Sequence, residues 1–267
     1  MAKNILEEIV AHKKIEVEEQ KKRVLPADLY RRVEKMMDEP LELRSMKDSL
    51  QNSASGIIAE FKRKSPSKGW IKEEGKPEII PPSYSKNGAS AISILTNERY
   101  FGGQLDFIRI ARPLVECPIL RKEFIIDEYQ LFEAREVGAD AVLLIAANLT
   151  QEQCATLAKK AHELKLETLL EVHDEHELSY INDHIDMVGV NNRNLTTFQT
   201  DVKTSFQIAA SLPSDKLLVS ESGISDPEIV RELRAVGFRG FLIGETFMKT
   251  SSPGDTLAQF IHDIIQR

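Results

Sequence analysis

The 267-residue sequence predicts an α/β fold, a (β/α)8 TIM barrel with an N-terminal helical extension. Eight short apolar runs follow one another at intervals of about 20 to 35 residues, the spacing typical of repeated βα units. Helix start signals at residues 148–152 and 225–228 lie between these runs, and Gly138 and Gly237 follow predicted helix ends. An open doubly wound sheet typically has fewer strands and a glycine-rich nucleotide turn, which is absent here, so the pattern favours a closed barrel.

The predicted strands cover residues 57–61, 91–95, 119–122, 141–145, 168–172, 187–191, 217–221 and 241–244. A barrel of this kind takes about 250 residues, so we expect residues 1–267 to form one domain. Residues 1–50 precede the first strand, and helices are predicted there over 4–23 and 28–37. Because the first of these helices has an apolar face, we expect the extension to pack near the barrel mouth. Pro81 and Pro82 predict that the helix after the first strand is short or begins late.

The charge and cysteine content exclude several classes of protein. A formal net charge of −7 argues against a nucleic-acid-binding domain. Cys117 and Cys154 have neither metal-site nor redox spacing, so no disulfide framework is expected. No run is long enough to span a membrane, and the N-terminus lacks the apolar core of a signal peptide. We expect a cytoplasmic protein, a monomer or weak homo-oligomer, with a small anionic ligand suited to the basic residues at 62–64 and at Lys68.

Polar side chains end several of the predicted strands, and in a barrel these positions meet at one mouth. They are Glu60 and Lys62, then Lys122, Glu171, Asn191 and Glu221. Glu60 and Lys62 share one face of their strand, and this pair alone fits either an active site or a rim ion pair. Two lysines and three carboxylates together favour acid–base catalysis. The lysines are candidate acids or anion ligands, Glu60 and Glu171 are candidate bases, and Asn191 suits the orienting of a hydroxyl or a nitrogen.

The loops after the seventh and eighth strands indicate a phosphate site. Ser222 and Gly223 lie in the first loop, and Gly244 and Glu245 lie in the second. These two loops commonly bind phosphate in this fold, and glycine allows backbone amides to approach an anion closely. Either glycine alone is also consistent with a simple turn, but the two together favour a sugar-phosphate ligand.

Other candidates are weaker. Arg193 is either a carboxylate ligand or a surface charge. Phe101, Phe124, Leu143 and Leu195 are candidates for the wall of an aromatic pocket, although Phe124 and Leu143 also fit a plain core. His173 and His176 are spaced i,i+3 without a third ligand in view, so no metal site is expected.

Several stretches, in this order, strongly resemble the indole-3-glycerol phosphate synthase family. They are IAEFKRKSPS at 58–67, ILT at 94–96 with YFGG at 100–103, LRKEFIID at 120–127, GVNNRNL at 189–195, SESGI at 220–224 and LIGE at 242–245. The similarity extends from the N-terminal helix to the last one. Glu123 stands where the family more usually has aspartate, and Asn97 stands where an acid is common.

The resemblance implies the ring closure of 1-(2-carboxyphenylamino)-1-deoxyribulose 5-phosphate to indole-3-glycerol phosphate, with loss of carbon dioxide and water. This is a carboxy-lyase reaction of tryptophan biosynthesis, and no cofactor is expected. The resemblance implies that Lys122 is the general acid and that Lys62 holds the anthranilate carboxylate. It implies proton removal by Glu171 and Glu60, and orienting roles for Asn191 and Glu221. The residues that it implies for substrate binding are Ser65, Arg193, Ser222, Gly223, Gly244 and Glu245.

Two alternative functions stay open at this stage. Another phosphate-binding barrel enzyme, such as phosphoribosylanthranilate isomerase, usually employs a cysteine and an aspartate, and no cysteine ends a strand here. A non-catalytic barrel scaffold would leave the set of Lys62, Lys122 and Glu171 unexplained.

Overall fold

A closed barrel of eight parallel strands forms the centre of the computed structural model, which describes residues 5–194 and 199–266. The strands are β1 (Ile57–Phe61), β2 (Ala91–Leu95), β3 (Ile119–Lys122), β4 (Ala141–Ile145), β5 (Glu167–Val172), β6 (Met187–Asn191), β7 (Leu217–Glu221) and β8 (Gly240–Ile243). The barrel closes where β1 pairs with both β8 and β2, with Ile58 beside Leu242 on one side and Ala91 on the other. The predicted fold and all eight predicted strands are confirmed, with ends that differ by one residue in β5 and β8.

Helices precede the barrel and connect its strands. Those in the described ranges are α1 (Ile5–Arg23), α2 (Pro26–Met37), α3 (Met46–Gln51), α4 (Ile80–Lys86), α5 (Glu98–Phe101), α6 (Asp106–Ala111), α7 (Glu128–Glu136), α8 (Gln151–Glu163), α9 (Lys203–Ile208), α10 (Pro227–Ala235), α11 (Glu245–Met248) and α12 (Pro253–Ile265). A 3-10 helix, Glu175–Tyr180, takes the place of the α-helix between β5 and β6. None of the helices in these ranges is long and apolar enough to cross a membrane.

Proline residues set the start of two helices. The start predicted for α2 is wrong by two residues, because Pro26 occupies the first helical turn and Leu25 is the N-cap. The short helix predicted after β1 is confirmed as α4, which has Pro81 and Pro82 in its first turn. Proline fits these positions because the first turn needs no backbone donor.

The strands alternate between the barrel interior and the surrounding helix layer. Ile58, Leu120 and Leu169 belong to a compact interior cluster. Ile57 and Ala59, the neighbours of Ile58 in β1, instead belong to the larger cluster that the helices cover. The same alternation directs the inward positions at the carboxyl end of each strand to the barrel mouth.

Helix α3 closes the opposite end of the barrel. Met46 and Leu50 are fully buried and join the interior cluster. Glu167, at the start of β5, accepts hydrogen bonds from the backbone amides of Met46 and Lys47 at 2.7 and 2.9 Å. This carboxylate satisfies amides that have no partner within the helix, so it fixes α3 across the amino ends of the strands.

Helix α1 attaches to the mouth side of the barrel through buried charge. Lys13 forms an ion pair of 3.1 Å with Glu123, which follows β3, and both side chains are almost fully buried. The hydroxyl of Tyr100 donates to Glu8 at 3.0 Å. Lys13 also pairs with Glu16 of the same helix at 2.9 Å, so it is removal of Lys13 that would leave the buried Glu123 without its ammonium partner; the pair ties α1 to the segment after β3.

We predict that Leu50→Ala lowers the free energy of unfolding by about 2–5 kcal/mol, because it leaves a cavity at the floor of the barrel. Urea unfolding measures this change. Leu43→Ala is the control, since Leu43 precedes α3 and its side chain is half exposed; its effect should stay within about 0.5 kcal/mol. An unfolding free energy for Leu50→Ala equal to that of the control would contradict the role of α3 as the floor.

Candidate active site

A cavity of about 580 Å³ opens at the carboxyl ends of the strands. Its described lining includes all of the residues predicted for the site except two. Ser65 is buried in a small hairpin, paired with Gly69, and its neighbours Pro66, Ser67 and Lys68 line the cavity instead. Leu195 lies outside the described residues.

The ammonium of Lys122, at the end of β3, lies between two buried carboxylates. Its Nζ is 3.1 Å from Oε2 of Glu171 and 2.7 Å from Oε2 of Glu221. These carboxylates reach the ammonium from β5 and β7, so the contact joins three strands across the mouth. Burial alone would lower the pKa of Lys122, but the charges of Glu221, Glu171 and Glu60 outweigh it and raise this pKa above its ordinary value. Lys122 therefore carries a proton at neutral pH.

The amide of Asn191 donates to the second oxygen of Glu171, and the imidazole of His173 lies within ion-pair distance of the same oxygen. Asn191 Nδ2 donates to Oε1 of Glu171 at 3.1 Å, and Asn191 Oδ1 accepts from the amide of Arg193 at 3.0 Å. His173 Nε2 lies 3.3 Å from the same Oε1. Burial tends to raise the pKa of Glu171, but Lys122, His173 and Asn191 lower it below its ordinary value. Glu171 is therefore held as a carboxylate.

The carboxyl group of Glu221 has less support than that of Glu171. Its Oε1 has no hydrogen-bond partner among the described residues. Burial and the charges of Glu171 and Glu60 outweigh Lys122 and raise the pKa of Glu221 to about 7. Gly189 makes room for this side chain, because a Cβ there would lie 2.2 Å from Oε1 of Glu221.

Glu60 and Lys62 form a second charged pair at the end of β1. Lys62 Nζ lies 2.6 Å from Oε1 of Glu60, and Glu60 is buried. Gly244 makes room for Glu60, since a Cβ at this glycine would lie 2.4 Å from the same oxygen. The absence of a side chain at Gly244 therefore leaves space for the Glu60–Lys62 ion pair, in addition to any role of this glycine in its loop.

The loops after β7 and β8 are shaped for close approach by an anion. Ser222 and Gly223 have φ values of 69° and 78°, a left-handed conformation that turns successive amides in one direction. Asn192 Nδ2 donates to the carbonyl of Ser222 at 3.1 Å and holds this turn. Thr246 Oγ1 donates to the carbonyl of Ile224 at 3.0 Å, so the two loops are joined.

The apolar part of the cavity lies on the other side of the mouth. Phe101 follows β2 and Phe124 follows β3, and their ring centroids are 6.0 Å apart. Leu143 is buried, belongs to the interior cluster and also lines the cavity, so it combines the two alternatives open for it. In an eight-stranded ring β3 is opposite β7, which separates these aromatic rings from the loop of Ser222.

Some lining residues were not predicted for the site from the sequence. Ile5, Leu6 and Ile9 of α1 line the cavity; their amphipathic pattern predicted packing near the mouth but did not identify them as site residues. Lys249 and Thr200 also line the cavity. Nothing in their local sequence distinguishes them from surface residues. Arg193 Nη1 is 3.5 Å from Ser67 Oγ, and Lys68 pairs with Glu245, so the loop after β1 reaches across the mouth.

The family model for indole-3-glycerol phosphate synthase matches residues 6–261 of the chain. The chain belongs to this family. It is 62% identical over 262 residues to an indole-3-glycerol phosphate synthase of Bacteroides thetaiotaomicron, covering 98% of this chain and 99% of the relative. It is 39% identical over 257 residues to that of Aliarcobacter butzleri, covering 96% of this chain and 98% of the relative. The family resemblance seen in the sequence is confirmed.

A solved structure supports the fold independently. The chain aligns with 3-hexulose-6-phosphate synthase from Salmonella typhimurium at a TM-score of 0.61 and 11% identity, covering 78% of this chain and 99% of that one. At this identity the likeness concerns the barrel alone.

We predict a pH-dependent stability difference between the wild type and Glu221→Gln. The pKa of Glu221 is raised in the folded protein, so its proton adds stability that is fully present below about pH 4.5 and is lost as the pH rises through about 7. The free energy of unfolding of the wild type should therefore fall relative to the variant across this window, by on the order of 2–3 kcal/mol. Urea unfolding at several pH values between 4.5 and 8 measures it. A constant difference would show that Glu221 titrates alike in both states.

Proposed function

We propose that this enzyme closes the indole ring of 1-(2-carboxyphenylamino)-1-deoxyribulose 5-phosphate to form indole-3-glycerol phosphate. The placement of Lys122 between Glu171 and Glu221 carries the proposal, because it puts a protonated ammonium and an ionised carboxylate at the same cavity floor. Membership of the indole-3-glycerol phosphate synthase family supports the same reaction and the same class of substrate. The reaction needs a proton donor, a proton acceptor and two anion sites, and the cavity provides candidates for each.

The cavity favours one orientation of the substrate. The phosphate binds at the left-handed turn of Ser222 and Gly223 and at the start of α11, where backbone amides are available. The carboxyphenyl ring lies against Phe101 and Phe124, beneath the apolar residues of α1. The ketone of the ribulose moiety then lies near Lys122, between the two ends.

Ring closure requires protonation of the ketone oxygen. The ring carbon that carries the carboxylate attacks the ketone carbon, a carbon–carbon bond forms, and Lys122 transfers a proton to the oxygen as negative charge develops there. Lys62 holds the carboxylate group, which fixes the ring for attack. Carbon dioxide then leaves, and its bonding electrons restore the aromatic ring.

Dehydration completes the indole. The new hydroxyl leaves as water with a proton from Lys62, and Glu171 accepts the proton from the carbon next to the nitrogen. The lowered pKa of Glu171 keeps it ionised for this step. Asn191 orients Glu171, Glu60 and Glu221 balance the two ammonium groups, and Arg193 and Glu245 close the cavity around the sugar phosphate. We further propose that the enzyme acts in the cytoplasm; the prediction of a monomer or weak homo-oligomer stays open.

We predict that Lys122→Met lowers kcat by about 10²- to 10⁴-fold, the usual contribution of a general acid. Steady-state kinetics with the purified protein and this substrate, followed by indole absorbance, measures the loss. Lys159→Met is the control, because Lys159 is exposed on α8; it should keep the wild-type kcat. Circular dichroism of both variants checks the fold. A kcat for Lys122→Met within about threefold of the wild type would overturn the assignment of the acid.

We predict that Gly223→Ala raises KM about tenfold or more while kcat changes less. Gly223 has a φ of 78°, and a Cβ there would lie 2.6 Å from Cγ2 of Thr200, so the turn must move. A factor of ten corresponds to about 1.4 kcal/mol of lost binding. Gly88→Ala is the matched control: its φ is 90°, but a Cβ there meets only Ile261, at 3.5 Å, within the described structure. An equal KM in both variants would argue against phosphate binding at this turn.

A further inference from the structure

His173 is a buried titratable residue that the proposed reaction does not yet use. It lies two residues beyond Glu171 along the chain, and its side chain is 15% exposed. It is not among the described residues that line the cavity. Its imidazole Nε2 nevertheless lies 3.3 Å from Oε1 of Glu171, the carboxylate oxygen that does not face Lys122.

A second carboxylate holds the other side of the ring. Glu177 Oε2 lies 3.2 Å from His173 Nδ1, and the backbone amide of His173 donates to the same oxygen at 2.7 Å. Glu177 belongs to the 3-10 helix Glu175–Tyr180, so this short helix positions the imidazole. A carboxylate therefore lies near each nitrogen, at hydrogen-bond distance from Nδ1 and at ion-pair distance from Nε2, and this arrangement favours the charged ring.

The electrostatics agree with this geometry. Burial lowers the pKa of His173, but Glu171 and Glu177 outweigh it and raise this pKa to about 10. The imidazole is therefore an imidazolium at neutral pH.

The balance of charges at the cavity floor indicates what the imidazolium of His173 does. Among the described residues three carboxylates, Glu60, Glu171 and Glu221, face two ammonium groups there. Lys62 pairs with Glu60, and Lys122 lies closer to Glu221 than to Glu171. A further positive charge beside Glu171 compensates the carboxylate that has to remain ionised.

We propose that His173 is a positioning residue that keeps Glu171 ionised and oriented as the base of the reaction, with Glu177 holding His173 in place. The role of Glu171 as base rests on the proposed function, whereas the pairing of the two side chains does not. The imidazolium does not touch the substrate and acts only through Glu171.

Removing the imidazolium has a definite direction of effect. Glu171 also faces Lys122 and Glu221, and His173 also faces Glu177. The variant His173→Gln removes a positive neighbour and leaves the negative ones, so the pKa of Glu171 must rise. Because a base is active only when ionised, the acidic limb of the rate profile moves to higher pH.

The test compares kcat/KM from pH 3 to 9 for the wild type, His173→Gln, His173→Lys and His176→Gln, because the pKa of Glu171 lies below its ordinary value in the wild type. We expect the acidic limb of His173→Gln to move up by about one pH unit or more, the effect of losing an adjacent opposite charge. His173→Lys retains the charge and should stay closer to the wild type. His176 is exposed on the same 3-10 helix, so its variant is the matched control and should keep the wild-type limb. A wild-type limb in His173→Gln would overturn the proposal.

Two NMR measurements decide the proposal without substrate. The ¹³C resonance of the Glu171 carboxyl, assigned with Glu171→Gln, should titrate about one pH unit higher in His173→Gln than in the wild type. The ring ¹⁵N shifts of His173 should report an imidazolium at pH 7. They are measured on the wild type, so this test does not depend on whether a variant folds. A neutral ring, or an unchanged Glu171 titration, would overturn the inference. A wild type that fails to turn over the substrate but shows both NMR results would contradict the proposed function alone.

Discussion

The ammonium of Lys122 among buried carboxylates is the interaction on which the site depends. Burying charge costs several kcal/mol per ion unless each charge has well-placed partners. Here the partners arrive from separate strands, Glu171 from β5 and Glu221 from β7, and converge at 3.1 and 2.7 Å. Only a closed barrel brings strands so distant in sequence to one point. The ring of paired strands, with α3 across its opposite end, therefore maintains the geometry of the charges at the mouth.

Space for these carboxylates comes from glycines in neighbouring strands. Gly189 of β6 makes room for Glu221, and Gly244 makes room for Glu60. A methyl group at either position would lie well inside contact distance of a carboxylate oxygen. Gly244 also begins the loop that joins the turn at Ser222, so one residue links the charged floor to the anion-binding loops.

The repeating parts of the molecule were predictable from local sequence, whereas contacts between distant segments were not. The eight apolar runs at regular spacing predicted the barrel, and the polar residues that end several of them predicted the members of its mouth. The N-cap preference of Asp28 predicted that α2 begins there. The helix begins two residues earlier, because Pro26 fits its first turn. Ser65 was predicted at the site from its place in a motif, but the hairpin turns it inward. The contact of His173 with Glu171 depends on the 3-10 helix that carries Glu177, and no spacing rule reveals it.

The different surroundings of Glu171 and Glu221 explain how one cluster can both donate and accept protons. Both carboxylates touch the same ammonium, so Lys122 alone does not distinguish them. The second oxygen of Glu171 accepts a hydrogen bond from Asn191 and lies 3.3 Å from the charged imidazole of His173, whereas the second oxygen of Glu221 has no hydrogen-bond partner among the described residues. The pKa of Glu171 consequently falls, and that of Glu221 rises to about 7. Glu171 is thus held in its ionised form. Glu221 is near its midpoint at neutral pH, and in the proposed reaction it can follow the charge of Lys122 as that residue gives up and recovers its proton.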